Sequence, residues 1–163
     1  KVSWRFYDRQ KSATTARQRV MKSGKSPVVK PLYLLDTNIC IYAINMRSKS
    51  VVEKVRQRLV DEIAISSVTV AELEYGLQKS SRKTATRAAL IEFLAPFAII
   101  DFTSLDAAEY GKIRAFLEEK GTPIGAYDLQ IAAQALARGL ILVSNNEREF
   151  SRVPQLKLEN WAD

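Results

Sequence analysis

The chain has 163 residues, enough for one domain with a core of its own and too few for two. Its formal charge is +7, but residues 1–30 hold nine basic residues against one acid and residues 31–163 hold sixteen against seventeen, so the positive balance belongs to the N-terminal stretch and not to the body of the chain. There is no histidine, which excludes Ser-His-Asp and Cys-His nucleophile pairs, imidazole acid–base catalysis and His-ligated zinc.

Residues 1–30 read as an irregular basic extension. Trp4, Phe6 and Tyr7 are mixed with Arg5 and Arg9, and the stretch from Lys11 to Lys30 is polar and rich in Ser, Lys and Arg, a composition that does not bury a core. The first methionine is Met21, so an origin of residues 1–20 in an expression vector, a fusion or an upstream frame is one reading of them.

From residue 31 to 163 the pattern is α/β. The apolar run Leu32–Leu35 predicts a strand buried on both faces, stopped by Asp36-Thr37-Asn38, where a helix starts. Helical spacing over 51–60 precedes a second short strand, Ile63–Ile65, closed by Ser66-Ser67. Helices follow over 68–78 and 84–94, the latter cut by Pro96, and a third strand over 97–100. The stretch 106–119 places Ala107, Tyr110, Ile113 and Leu117 on one helical face. A further helix, 127–138, stops at Gly139, and 140–143 is the last clear strand, with 156–158 alternating like an edge strand. Strands alternating with helices predict a three-layer α/β/α domain around a central parallel sheet.

Ligands of open parallel sheets bind beyond the carboxyl ends of the strands, which directs attention to the residues after each run. Asp36 follows the first, Ser66-Ser67 the second, leading into a helix with Glu72, and Ser144-Asn145-Asn146 follows the last. Each acid has two readings. Asp36 is a helix N-cap or a ligand. Glu72 shares a stripe with Val68, Ala71, Tyr75 and Gly76 and is a core-facing functional carboxylate or a rim acid. Asp128 shares a face with Ile131, Ala132 and Ala135 and is a ligand or a first-turn acid favoured by the helix dipole. One shared site accounts for all three. Converging anions must take up protons or bind a cation, and all-oxygen ligation without His or Cys favours Mg²⁺ or Mn²⁺. In the loop 144–150, Asn146 and Glu149 are further candidates, alongside the reading of an Asn-rich turn that caps a short helix. Phe150 and Trp161 read as core. Lone Cys40 and the lack of an N-terminal apolar run or a ~20-residue apolar stretch lead to the expectation of a cytoplasmic protein with no membrane segment.

These pieces together resemble the PIN-domain endoribonuclease toxins of the VapBC type over residues 32–161. The resemblance is carried by Leu34-Leu35-Asp36-Thr37-Asn38, by Ile65 to Leu73 with Tyr75-Gly76, by Ile113-Arg114, by Gly121 to Ala133, by Ser144 to Phe150 and by the closing Leu158 to Trp161. It implies a metal-dependent ribonuclease whose acids, here Asp36, Glu72 and Asp128, bind Mg²⁺ or Mn²⁺. The fourth acid departs from the family pattern: Asn146 stands where an acid is common, with Glu149 close by as the substitute. Thr37, Asn38 and Ser144 match supporting polar positions. Water attack, leaving a 5′-phosphate and a 3′-hydroxyl, is the expected reaction, and the subgroup with Asp-Thr-Asn-Ile-Cys points to initiator tRNA. The resemblance further implies a homodimer and a VapB-type antitoxin. Trp4, Arg5, Phe6 and Arg9 fit an antitoxin-like or autoinhibitory arm, an RNA-tethering arm being another reading. A catalytically silent RNA-binding module and a DNA-directed nuclease of the same superfamily are the alternative functions.

Overall fold

The computed structural model describes residues 31–162; the expectations for the extension, including contacts of Trp4, Arg5, Phe6 and Arg9, lie outside the described residues. Five short parallel strands form one sheet: β1 (Tyr33–Leu35), β2 (Ile63–Ser66), β3 (Ala98–Ile100), β4 (Ile141–Val143) and β5 (Lys157–Glu159), in the order β3-β2-β1-β4-β5. The helices are α1 (Thr37–Ile44), α2 (Lys49–Gln57), α3 (Ser67–Lys79), α4 (Lys83–Leu94), α5 (Ser104–Glu119), α6 (Ala126–Arg138) and the single turn α7 (Glu147–Phe150).

β1 pairs with β2 on one side and β4 on the other, which is why its residues are apolar without alternation. Tyr33 and Leu35 face one layer with Ile63, Ile65 and Val143, against α1, α2, α3 and α4. Leu34 faces the other with Ala64 and Leu142, against α5, α6 and α7. The first layer closes on Trp161, 2% exposed, whose ring meets Tyr33 edge-on at 5.2 Å, with the Arg58 guanidinium over both rings. The three-layer α/β/α architecture read from the sequence is the observed one, and Phe150 is core.

Several predicted details shift, each for a local reason. The first strand begins at Tyr33; Leu32 is half exposed. The helical spacing at 51–60 resolves into α2, capped by the Ser48 hydroxyl on the Val51 amide, and a separate 3₁₀ turn, Val60–Glu62. The edge strand β5 starts one residue later than the alternation suggested. In α5 the predicted face holds at Ile113 and Leu117, which are buried, and at Tyr110, which packs against them, but Ala107 is exposed and Asp106 is buried instead, paired with the part-exposed Arg138.

The chain leaves β1 to build β2 and β3 on one side and later returns to add β4 and β5 on the other. The gap beyond the carboxyl ends of β1 and β4 is therefore the topological switch point, where open α/β sheets form their ligand crevice.

Candidate active site

Asp36 and Ser144 occupy that gap. β1 ends at Leu35 and β4 at Val143, in register with each other, so the next residue of each strand lies side by side at the sheet edge. The Ser144 hydroxyl donates to Asp36 Oδ2 at 2.7 Å, and the Thr37 amide, first of α1, donates to Oδ1 at 2.7 Å. Asp36 is thus a helix N-cap, and the cap leaves its second oxygen on Ser144 at the crevice, so that reading does not exclude a ligand role. It is buried, 3% exposed, and burial pushes its pKa up; the bonds from Ser144 and Thr37 oppose that rise and the charge of Glu72 adds to it.

Glu72 enters from α3, where the Thr37 hydroxyl donates to its Oε2. The expected stripe on α3 is corrected here. The core-facing residues are Val68, Thr69, Leu73 and Leu77, while Ala71, Tyr75 and Gly76 are exposed. Leu73 and Leu77 lie one turn apart and take the core, which turns Glu72 about 100° around the helix to the border between core and crevice. Glu74 points away and pairs with Arg87 at 3.6 Å.

Asp128 opens α6 above the stripe Ile131, Ala132 and Ala135, each fully buried. The Asn146 carboxamide donates to Asp128 Oδ2 at 2.9 Å, and the Asn146 amide in turn donates to Ser144 Oγ at 2.9 Å, tying the post-β4 loop to both acids. Glu149, in α7, accepts from the Gly125 amide at 3.3 Å and faces Asp128. Burial, the charge of Asp36 and the charge and hydrogen bond of Glu149 push the Asp128 carboxyl up to about 7, against the lowering effect of Asn146. Asn146 caps nothing with its side chain; that group is spent on Asp128. Asn38 is exposed in the first turn of α1, outside this hydrogen-bonded set. Cys40 is fully buried one turn into α1, where burial and the Asp36 charge push its thiol well up.

Two polar pairs were not anticipated. The Asn145 carboxamide donates to the Tyr42 hydroxyl at 3.1 Å, a contact foreshadowed only by the position of Asn145 between two candidate residues. Asp106 pairs with Arg138 at 2.9 Å, for which the signal was a Thr-x-x-Asp capping pattern at Thr103.

None of Asp36, Glu72, Asp128 and Glu149 forms an ion pair among the described residues, where the salt bridges are Arg87–Glu74, Lys112–Glu109, Arg114–Glu118 and Arg138–Asp106. No three of the acids already form a closed ligand cluster among the described residues; they act on one another in pairs. Two carboxyls raised by burial and by neighbouring acids, supported by neutral hydroxyl and amide donors with no lysine or arginine paired to them among the described residues, fit a hard divalent cation bound through oxygen.

A protein-family model described as the PIN domain matches residues 33–156. Ribonuclease VapC2 of Rickettsia felis is 46% identical over 131 residues, covering 80% of this chain and 98% of that protein. The tRNA(fMet)-specific endonuclease VapC of Salmonella typhimurium is 40% identical over 133 residues, with the same coverage. Among solved structures, the crystal structure of VapBC2 from Rickettsia felis bound to a DNA fragment from their promoter superposes with a TM-score of 0.75 at 45% identity, covering 80% of this chain and 98% of that one.

Proposed function

The chain belongs to the PIN-domain family, among the VapC ribonucleases, and on that premise we propose that Asp36, Glu72, Asp128 and Glu149 are its catalytic acids and that it cleaves RNA in a Mg²⁺- or Mn²⁺-dependent reaction. The observation that carries the residue assignment is the set of acids at the switch point, with Asp36 and Asp128 each raised by burial and further by a neighbouring carboxylate, and neither given a basic partner among the described residues.

Asp36, Glu72 and Asp128 would hold the metal, with Glu149 as the fourth acid. When bound, such a cation supplies a Lewis acid for the phosphoryl oxygens and an acidified water. The remaining side chains orient this set. Ser144 and the Thr37 amide hold Asp36 and oppose the rise that burial imposes on its pKa, the Thr37 hydroxyl fixes Glu72, and Asn146 fixes Asp128. Asn146 donates a hydrogen bond where an acid is common in the family, and the nearby Glu149 carboxylate restores the negative charge that Asn146 lacks. With no histidine to deprotonate a 2′-hydroxyl, water is the nucleophile and the products carry a 5′-phosphate and a 3′-hydroxyl.

The similarity to a tRNA(fMet)-specific endonuclease supports initiator tRNA as the substrate, and the similarity to VapBC complexes supports a VapB-type antitoxin as partner of a homodimeric toxin. Sequencing the cleavage ends from total RNA tests this reading: the cuts concentrate in one tRNA, and EDTA removes them. A 2′-deoxy substitution at the cut site is tolerated; a 2′,3′-cyclic phosphate end would overturn the water mechanism. Matched RNA and DNA oligonucleotides separate a ribonuclease from a DNA-directed enzyme.

A further inference from the structure

A polar cavity of about 320 Å³ opens next to the acids, lined by Tyr42, Arg47, Ser48, Asn145, Asn160 and Ala162. Asn145 follows β4 and Asn160 follows β5, so the cavity lies at the same carboxyl edge of the sheet as Asp36, displaced toward the β5 side. Asn145 stands between Ser144, which holds Asp36, and Asn146, which holds Asp128.

We propose that the cavity is a subsite for one nucleotide of the RNA strand adjacent to the scissile phosphate, in which Asn145 reads the base edge and Arg47 meets a backbone phosphate. The inference rests on the ribonuclease reading above and deepens it.

The Asn145 amide is held by one hydrogen bond, from its Nδ2 to the Tyr42 hydroxyl, and its Oδ1 is buried without a partner among the described residues. A side chain that offers a donor and an acceptor and has so little to give up is suited to re-pairing with a base. Arg47 is exposed and has no acidic partner among the described residues. Its position is built in: Met46 takes a left-handed φ of 52°, and the Arg47 amide closes the turn on the Tyr42 carbonyl at 3.0 Å, setting the guanidinium beside the cavity. Residues 47–58 hold five basic side chains against one acid, and Lys54 reaches the Asn160 carbonyl at 3.4 Å, on the cavity rim. The body of the chain is close to neutral, so Arg47 and Lys54 at the cavity offset the repulsion that a polyanion meets at the acids.

Single-turnover cleavage of a short RNA library randomised at the nucleotides flanking the cut tests the assignment. The wild-type protein prefers one base at one flanking position, and Asn145→Ala reduces that preference about tenfold. Tyr42→Phe keeps the ring, removes the hydroxyl and gives a smaller loss at the same position. Arg47→Ala raises KM evenly across the library and lowers the slope of log affinity against log salt by about one. An Asn145→Ala profile superimposable on the wild type overturns the proposal, as does a wild type with no flanking preference. Variants that keep the profile but bind the antitoxin more weakly assign the cavity to a protein partner and also overturn it. A wild type that cleaves no RNA brings down the ribonuclease reading and this inference with it. Should Asn145→Ala fail to fold, Tyr42→Phe and Arg47→Ala decide the matter.

Discussion

Asp36 and Asp106 are both almost fully buried carboxylates set close to the carboxyl end of a parallel strand, and the chain treats them in opposite ways. Asp106 receives two bonds from Arg138, at 3.1 and 2.9 Å, and two from Thr103, from its amide at 2.6 Å and its hydroxyl at 2.8 Å. Burial raises its pKa, but these four bonds outweigh it and hold the carboxyl below the ordinary value. Asp36 receives two bonds from neutral donors, faces Glu72, and ends above the ordinary value, as does Asp128 beside it. A buried carboxylate costs several kcal/mol unless its charge is matched. Asp106 is matched within the chain and ties the β3–α5 loop to α6; Asp36 and Asp128 are matched by nothing among the described residues, which leaves room for a cation.

The largest effect that follows is catalytic. Asp36→Asn or Asp128→Asn keeps the shape and removes the charge, so cleavage falls at least about a thousandfold, ~4 kcal/mol of transition-state stabilisation, while chemical denaturation of the metal-free protein shows no loss of stability. Wild-type rates in both variants would end the assignment. Asp106→Ala gives the reverse: about 1–2 kcal/mol of stability is lost because the Thr103 amide loses its cap and the part-exposed Arg138 loses its ion pair, and cleavage per folded molecule is unchanged. A variant that lost activity without losing stability would place Asp106 in the active site and erase the contrast.

The contrast explains how far the sequence could be read. The sheet was legible because β1, β2 and β4 are short apolar runs stopped by polar residues, and the acids were legible because Asp36 and Asp128 sit directly against those runs or a buried stripe. Glu72 was singled out on a partly incorrect argument: of its stripe Val68 is buried but Ala71, Tyr75 and Gly76 are exposed, and the register of Leu73 and Leu77 that turns it toward the crevice is a matter of packing between helix and sheet. Asp106 was missed because its partner is 32 residues away on another helix. Tyr42 and Asn145 were missed for the same reason, being 103 residues apart. Pairing of that kind follows from topology, and local spacing does not carry it.

A smaller effect sharpens the role of the neutral donors. Ser144→Ala removes one of the two bonds to Asp36, and Asn146→Ala removes the bond to Asp128. Each lowers divalent-metal affinity about 10- to 100-fold, measured by calorimetric titration, and cleavage recovers at high metal concentration. The Asp106 clamp gives no such rescue: stability lost in Asp106→Ala does not return with metal.

The smallest effect is on the pH dependence of the metal-free protein, where the two regions have opposite signs. Asp128 has a folded pKa near 7 against an ordinary value of 3.8, so folding takes up a proton. Its contribution to stability is complete below about pH 4 and is lost as the pH rises through 7, at less than the ~1.4 kcal/mol per pH unit of one full proton because solvent screens the part-exposed carboxyl. Asp106 is depressed, so its contribution is complete above its ordinary pKa and is lost as the pH falls through its folded value. Other carboxylates titrate as well, and the difference between wild type and Asp128→Asn isolates the first term. Between pH 5 and 7.5 the metal-free wild type loses thermal stability relative to that variant. Saturating divalent metal reverses the sign, because binding needs the deprotonated carboxylates. Metal-free curves that run parallel for the two proteins across this range would show that Asp128 carries no excess proton and would erase the opposite signs of the two regions.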